Sequence, residues 1–253
     1  MDKKLLPIIA CMFLAACTHR IDGVSGTESD RTGSVAPPIV LSSSSSAASR
    51  GHSVSAQISE QASLDIDVPF TTQAPFARWD PLHEEACEEA SLIMMHHFLE
   101  GTTITPDQAE KEIQALVAWE FAHRYRKDVT AEELAKIAQE YYGYKAHVDS
   151  DTSPDHLRAL LIAGHPLIVP MAGRLLGNPN FSGAGPWYHM IVLRGYEKGW
   201  FGEHLFITND PGTRKGEKYT YSEAIFENAI HDWVGVNEKI AEGSKRVVIV
   251  EKP

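Results

Sequence analysis

WDPLHEEACEEASLIMMHHFLEG, residues Trp79 to Gly101, is the stretch on which the reading of the whole chain turns. Asp80-Pro81 is a turn-and-start signal. Ala86, Ala90, Leu92, Ile93, Met94, Phe98 and Leu99 fit one broad helical face, and Gly101 is a residue type that ends a helix. Cys87 therefore stands in or just before the first turn of a buried helix. First-turn N–H groups have no helical partner and form the positive end of the dipole, which favours a thiolate over a thiol. That makes Cys87 a candidate nucleophile. A cysteine buried as a small apolar side chain, or one in an intermolecular bridge, is the alternative.

Toward the N-terminus, Lys3 and Lys4 precede an apolar run from Leu5 to Ala16, closed by Leu14-Ala15-Ala16-Cys17. The run is too short for a mature membrane-spanning helix and reads as a signal peptide, residues 1–16. Its ending resembles the lipobox of bacterial lipoproteins. That resemblance implies cleavage before Cys17 and lipidation of Cys17, and hence an exported, membrane-anchored protein; a plain signal peptide cut nearby is the alternative. Thr18 in second place resembles the outer-membrane sorting type, facing the periplasm in a Gram-negative cell. Residues 17–63 contain SSSSSAAS and few aromatics, so they cannot bury enough surface to fold and form a tether. As a coil it would reach on the order of 40 Å. Of three cysteines, Cys11 leaves with the signal and Cys17 carries lipid, which leaves Cys87 without a disulfide partner.

With 253 residues there is room for one domain, residues 64–253, behind these appendages. A net charge of −11 speaks against a nucleic-acid partner, which requires a basic face. Leu64-Asp65-Ile66-Asp67-Val68-Pro69-Phe70 alternates and predicts an entering edge strand. Thr105-Pro106-Asp107-Gln108 is a capping box that opens a helix to about Lys127. Thr130-Ala131-Glu132-Glu133 opens another that ends at Gly143, and Ser153-Pro154 opens a third that stops at Gly164. Apolar, β-branched runs then predict strands at Pro166 to Ala172, Tyr188 to Tyr196, His204 to Thr208 and Arg246 to Glu251, with a short helix around Tyr221 to Ile230. Helices first and strands second indicate an α+β domain, a helical half packed on an antiparallel sheet.

A base for Cys87 is available in His189, which opens a buried strand after a glycine-rich loop, Gly177 to Gly185. A histidine capped by a backbone carbonyl at a strand end is the alternative. If the Tyr188 and His204 strands pair as a hairpin, Asp210 lies beside His189 and can fix its tautomer; an ordinary Asp-Pro-Gly turn is the alternative. Gln73, on the loop upstream of Cys87, is a candidate oxyanion donor, with its amide beside a backbone N–H near Cys87.

Five blocks in this order resemble the papain-like cysteine peptidases, in particular the bacteriocin-processing, double-glycine-leader peptidases and their free-standing relatives. They are Asp67 to Gln73, Cys87-Glu88-Glu89-Ala90-Ser91, Gly164 to Val169, Tyr188 to Tyr196 and Asn209-Asp210-Pro211-Gly212. The resemblance spans roughly Leu64 to Glu251. It implies a papain-like fold, a Cys87, His189 and Asp210 triad with Gln73 in the oxyanion hole, peptide or protein substrates, and an acyl-enzyme released by water or by another amine. The sequence gives no sign of a cofactor; a monomer is expected. Many relatives have Gly-Pro after the nucleophile, whereas this chain has Glu88-Glu89. Two carboxylates there suit the helix dipole but would raise the thiol pKa if they faced it; on a helix they can point away.

Two other readings use the same residues. His83, Cys87 and His96-His97 superficially suggest zinc, but one helix cannot bring His83 and His96 to one ion, and neighbours point about 100° apart. Alternatively, a tethered papain-like binding module could use Trp79, Trp187, Tyr188, Trp200 and Phe201 to line a peptide or glycan groove. Trp119, His123 and His231-Asp232-Trp233 read as packing and helix-end polarity.

Overall fold

The computed structural model describes residues 63–253; the expected signal peptide, the expected lipidation site Cys17 and all but the last residue of the expected tether lie outside them. Strand β1 (Leu64–Asp65) is followed by helices α1 (Cys87–Glu100), α2 (Pro106–Ala122) and α3 (Ala131–Tyr142), and then by β2 (Lys145–Asp149) and α4 (Pro154–Ile162). The second half holds β3 (Leu167–Ala172), a 3₁₀ turn, β4 (Tyr188–Lys198), β5 (His204–Asn209), β6 (Tyr219–Ser222), α5 (Glu223–Ala229), a second 3₁₀ turn and β7 (Val247–Glu251). All pairs are antiparallel in the order β2-β7-β3-β4-β5-β6, and β1 pairs with the far end of β4.

Alternation along β3, β4 and β7 divides the core. Ile168, Met190, Val192, Val248 and Val250 face α1, α2 and α3. Val169, Ile191, Leu193, Val247 and Ile249 face α4 and α5 on the other side. The helices therefore cover both faces of the sheet, and the longest strand, β4, carries the core between them.

Both expected capping boxes form: Thr105 and Gln108 open α2, and Thr130 and Glu133 open α3. Gly101 and Gly143 adopt the left-handed conformation that ends α1 and α3. Three expectations need correction, and one strand was missed. The entering strand is two residues long, because beyond Asp65 its carbonyls leave the ladder: Ile66 O accepts from Val68 N at 2.8 Å, and Val68 O accepts from Arg194 Nη1 and Asn209 Nδ2. Helix α2 stops at Ala122, where His123 turns its ring onto the Trp119 carbonyl and Arg124 enters the left-handed region at φ 67°. Residues Tyr221 and Ser222 are strand, so α5 begins only at Glu223. Strand β2 was not foreseen; its pattern is polar, and its partner β7 is the last strand of the chain. Gly195 has a specific reason: a Cβ there would sit 2.1 Å from Leu64 O, so only glycine lets β1 lie against β4.

Candidate active site

Cys87 is the first residue of α1, 6 % exposed, and Ser91 one turn on donates to Met190 O at 3.2 Å, locking the helix start onto β4. His189 and Asp210 are brought together by the β4–β5 hairpin, as its strand ends require. His189 Nε2 donates to Asp210 Oδ1 at 2.7 Å, and both side chains are essentially shielded from solvent. Nδ1 of His189 has no hydrogen-bond partner among the described residues. The ring is held edge-on by Phe181, with centroids 5.5 Å apart, and Gly212 packs directly against it.

Asp210 is braced from three sides. Oδ1 also accepts from Gly212 N at 2.9 Å; Oδ2 accepts from Tyr221 Oη at 2.6 Å and from Asn178 Nδ2 at 3.3 Å. Burial alone would raise this carboxyl, but His189 and these donors outweigh it and hold it below the ordinary range. Tyr221 is raised, by burial first and the Asp210 charge second, so it remains a donor. Sequence reasoning missed Tyr221 and Asn178. Only the strand alternation of Tyr219-Thr220-Tyr221-Ser222 hinted that one tyrosine faced inward.

Gln73 lines the same cleft as Cys87, with its backbone N–H bonded to Pro211 O at 3.0 Å, which joins this loop to the Asp210 turn. Its side-chain Nε2 does not stand free as expected: it donates to His83 O at 2.8 Å and to Glu84 O at 3.1 Å, while Oε1 is buried without a partner.

Glu88 overturns the expectation that the first-turn carboxylates point away. The Cys87 thiol donates to Glu88 Oε2 at 2.9 Å, and Glu88 Oε1 accepts weakly from Val129 N at 3.4 Å. Burial, the Glu88 charge and this bond push the thiol well up, opposed by the Met190 N–H. No hydrogen bond joins Cys87 Sγ to the His189 ring among the described residues. Glu89 is buried beneath and shares its environment with Glu120 of α2.

Cys87, Gln73, His189, Phe181, Trp187 and Gly212 line one cleft of about 840 Å³ at the opening end of β4. Its rim carries Glu84, Glu85 and Asp128 on the α1 side and Arg214 and Lys215 beyond the Asp210 turn. Arg174 lies 3.4 Å over the Trp187 ring, and Trp79 completes an aromatic wall. Trp200 and Phe201, grouped with these in the sequence, are instead fully exposed at the β4–β5 turn. His83 bonds Asp80 Oδ1 at 2.8 Å and Glu110 Oε2 at 3.0 Å, so both its ring nitrogens serve loop packing.

The family model described as the Peptidase_C39 like family matches residues 65–239, more than half of the chain and nearly all of the folded part. The chain belongs to the Peptidase_C39 like family. Among solved structures, a C39-like peptidase of Bacillus anthracis is similar at 16 % identity and a TM-score of 0.48, covering 76 % of this chain and 99 % of its own. No curated protein matches the sequence. Membership of the C39-like family gives the α+β domain its papain-like fold and places the chain among the cysteine peptidases, a class of hydrolases.

Proposed function

We propose that this C39-like chain is an exported, lipid-anchored cysteine peptidase in which Cys87 attacks a peptide carbonyl. The observation that carries the reading is the convergence of a helix-start thiol and a buried His189–Asp210 pair on one cleft. His189 takes the thiol proton at Nδ1, the nitrogen that Asp210 leaves unused, and returns it to the departing amine. Asp210 fixes the tautomer and orientation of His189. The tetrahedral oxyanion is received by the free N–H of the first helical turn and by Gln73 Nε2, whose longer bond, to Glu84 O, is the one exchanged. A thioester follows, released by water or by a second amine. The Cys17 lipid and the residue 17–63 tether would hold the domain near a membrane, facing the periplasm in a Gram-negative cell.

The test is alkylation of Cys87 by iodoacetamide from pH 4 to 9, in the wild type, His189→Ala and Asp210→Ala. Rapid alkylation persisting well below an ordinary thiol pKa of about 8.5, and lost in His189→Ala, supports the reading. The bond from the thiol to Glu88 favours a second one, a catalytically silent peptide-binding domain. It predicts a sluggish thiol indifferent to His189.

A further inference from the structure

Glu88 is 1 % exposed, and no ion pair reaches it among the described residues, since Lys127 bonds Glu85 instead. The groups facing it are Cys87 and Glu89 on its own helix, Glu120 from α2, Lys127 and Asp128 from the segment before α3, and Tyr188 from β4. Behind Tyr188 stands Asp232. All of these but Lys127 are acidic or neutral. An ionised Glu88 would thus be a buried charge among like charges, which folded proteins avoid by retaining the proton. Burial and the Glu89 charge both act in that direction.

The position of that proton follows from the contacts. Oε1 accepts from the Val129 N–H, so the acidic hydrogen belongs on Oε2, the atom 2.9 Å from Cys87 Sγ. We infer that Glu88 is a further catalytic residue, a protonated carboxyl whose Oε2–H donates to the Cys87 sulfur and stabilises its thiolate. The inference rests on Cys87 being the nucleophile. In the step, the Cys87 S–H bond breaks, its proton moves to His189 Nδ1, and the electron pair stays on sulfur. The Glu88 O–H stays intact and turns from neighbour to donor. When sulfur then bonds to the substrate carbonyl, Glu88 still holds its proton. Ionised, the same carboxylate would repel the thiolate, so as Glu88 titrates reactivity should climb less with pH than it does beside a neutral group.

The full chain is alkylated with iodoacetamide from pH 5 to 9 as wild type, Glu88→Gln, Glu88→Ala and His189→Ala, with thermal melting of each as a folding control. Glutamine keeps an N–H donor toward sulfur and an acceptor for Val129, and cannot ionise. Expected are a wild-type rate at pH 7 in Glu88→Gln, a rate at least about tenfold lower in Glu88→Ala, and a Glu88→Gln rate that exceeds wild type toward pH 9. Glu88→Ala alkylating as fast as wild type, or a folded Glu88→Gln falling with Glu88→Ala, overturns the inference. As a second measurement, the ultraviolet absorbance of the thiolate is titrated in wild type and in Glu88→Gln, each against its own Cys87→Ser variant; a wild-type curve that coincides with that of Glu88→Gln up to pH 9 also overturns it. Indifference to His189→Ala removes the nucleophile reading separately, because the Gln-to-Ala contrast reads the Glu88–sulfur contact by itself.

Discussion

His189 Nε2 and Asp210 Oδ1 lie 2.7 Å apart, just beyond the open end of the β4–β5 ladder at Val192 and Asn209, and are sealed from water. The pairing uses one ring nitrogen and leaves Nδ1 for the cleft. Asparagine at position 210 would keep the volume but offer either oxygen or nitrogen to Nε2, so the tautomer is no longer fixed. Asp210→Asn should lower kcat/KM roughly 10²- to 10⁴-fold with little change in KM. Steady-state kinetics on a peptide substrate would show it, and an unchanged kcat/KM would remove Asp210 from the mechanism.

Gly212 sets the position of the same ring from the other side. An added Cβ would lie 2.9 Å from His189 Cε1 and 3.0 Å from Nε2, closer than such atoms approach. Phe181 prevents the ring from yielding. Gly212→Ala should therefore fold normally and lose roughly 10²-fold in kcat, since displacement by less than an ångström disrupts proton transfer geometry. Circular dichroism melting beside kinetics separates the two effects; full activity in a folded variant would show the ring to be free.

Cys87, His189 and Asp210 were legible because each marks an element boundary: a helix start, a strand start after a glycine-rich loop, and a strand end before Pro211-Gly212. The hairpin brings the last two together whatever surrounds them. Glu88 was not legible. A helix-start side chain goes where its partners draw it, and here the Glu88 carboxyl is held between Cys87 Sγ and the Val129 N–H, a partner forty-one residues away in sequence. Strand β2 was hidden for a related reason: Lys145-Ala146-His147-Val148-Asp149 has little apolar pattern, and it is β7 that makes it a strand. The short β1 shows the reverse, a clear alternation that Arg194 and Asn209 divert from the ladder.

Tyr221 supports Asp210 through its 2.6 Å bond to Oδ2. Tyr221→Phe removes that donor and leaves Asn178 alone on the oxygen. The Asp210 carboxyl, held below its ordinary value partly by Tyr221, should then rise. Because its ionised form is the useful one, activity should fail at a higher pH on the acid side than in wild type, with roughly a tenfold loss near neutrality. A pH–rate profile with the wild-type acid limb would show that Tyr221 only fills space.

Gln73→Ala tests the oxyanion assignment. It removes both amide hydrogens now given to His83 O and Glu84 O. If one of them turns to the oxyanion, kcat should fall roughly 10²- to 10³-fold, while alkylation of Cys87 by a small reagent, which forms no oxyanion, stays at the wild-type rate. Equal losses in both assays would instead mean that Gln73 serves only to hold the Asp80 to Ala86 loop in place.

Glu89 and Glu120 face each other under α1, with Glu89 Oε2 and Glu120 Oε1 buried and unpaired unless one proton lies between them. Burial raises both carboxyls, and Glu89 is pushed up to about 7 from an ordinary 4.5. The sign follows from proton counting. Above pH 4.5 the unfolded chain has released protons that the folded chain retains, so stability falls as pH rises from there toward 7 and beyond. Glu120→Gln supplies a neutral N–H to Glu89 and removes one of the two titrating groups. It should stabilise the folded state at pH 8 by on the order of 1–3 kcal/mol and change little at pH 4.5, where both carboxyls of the wild type are largely protonated. Urea unfolding of wild type and variant at the two pH values measures the difference. A variant whose stability runs parallel to wild type across that range would mean that the pair holds no shared proton, and that Glu89 and Glu120 reach water by a path the packing does not reveal.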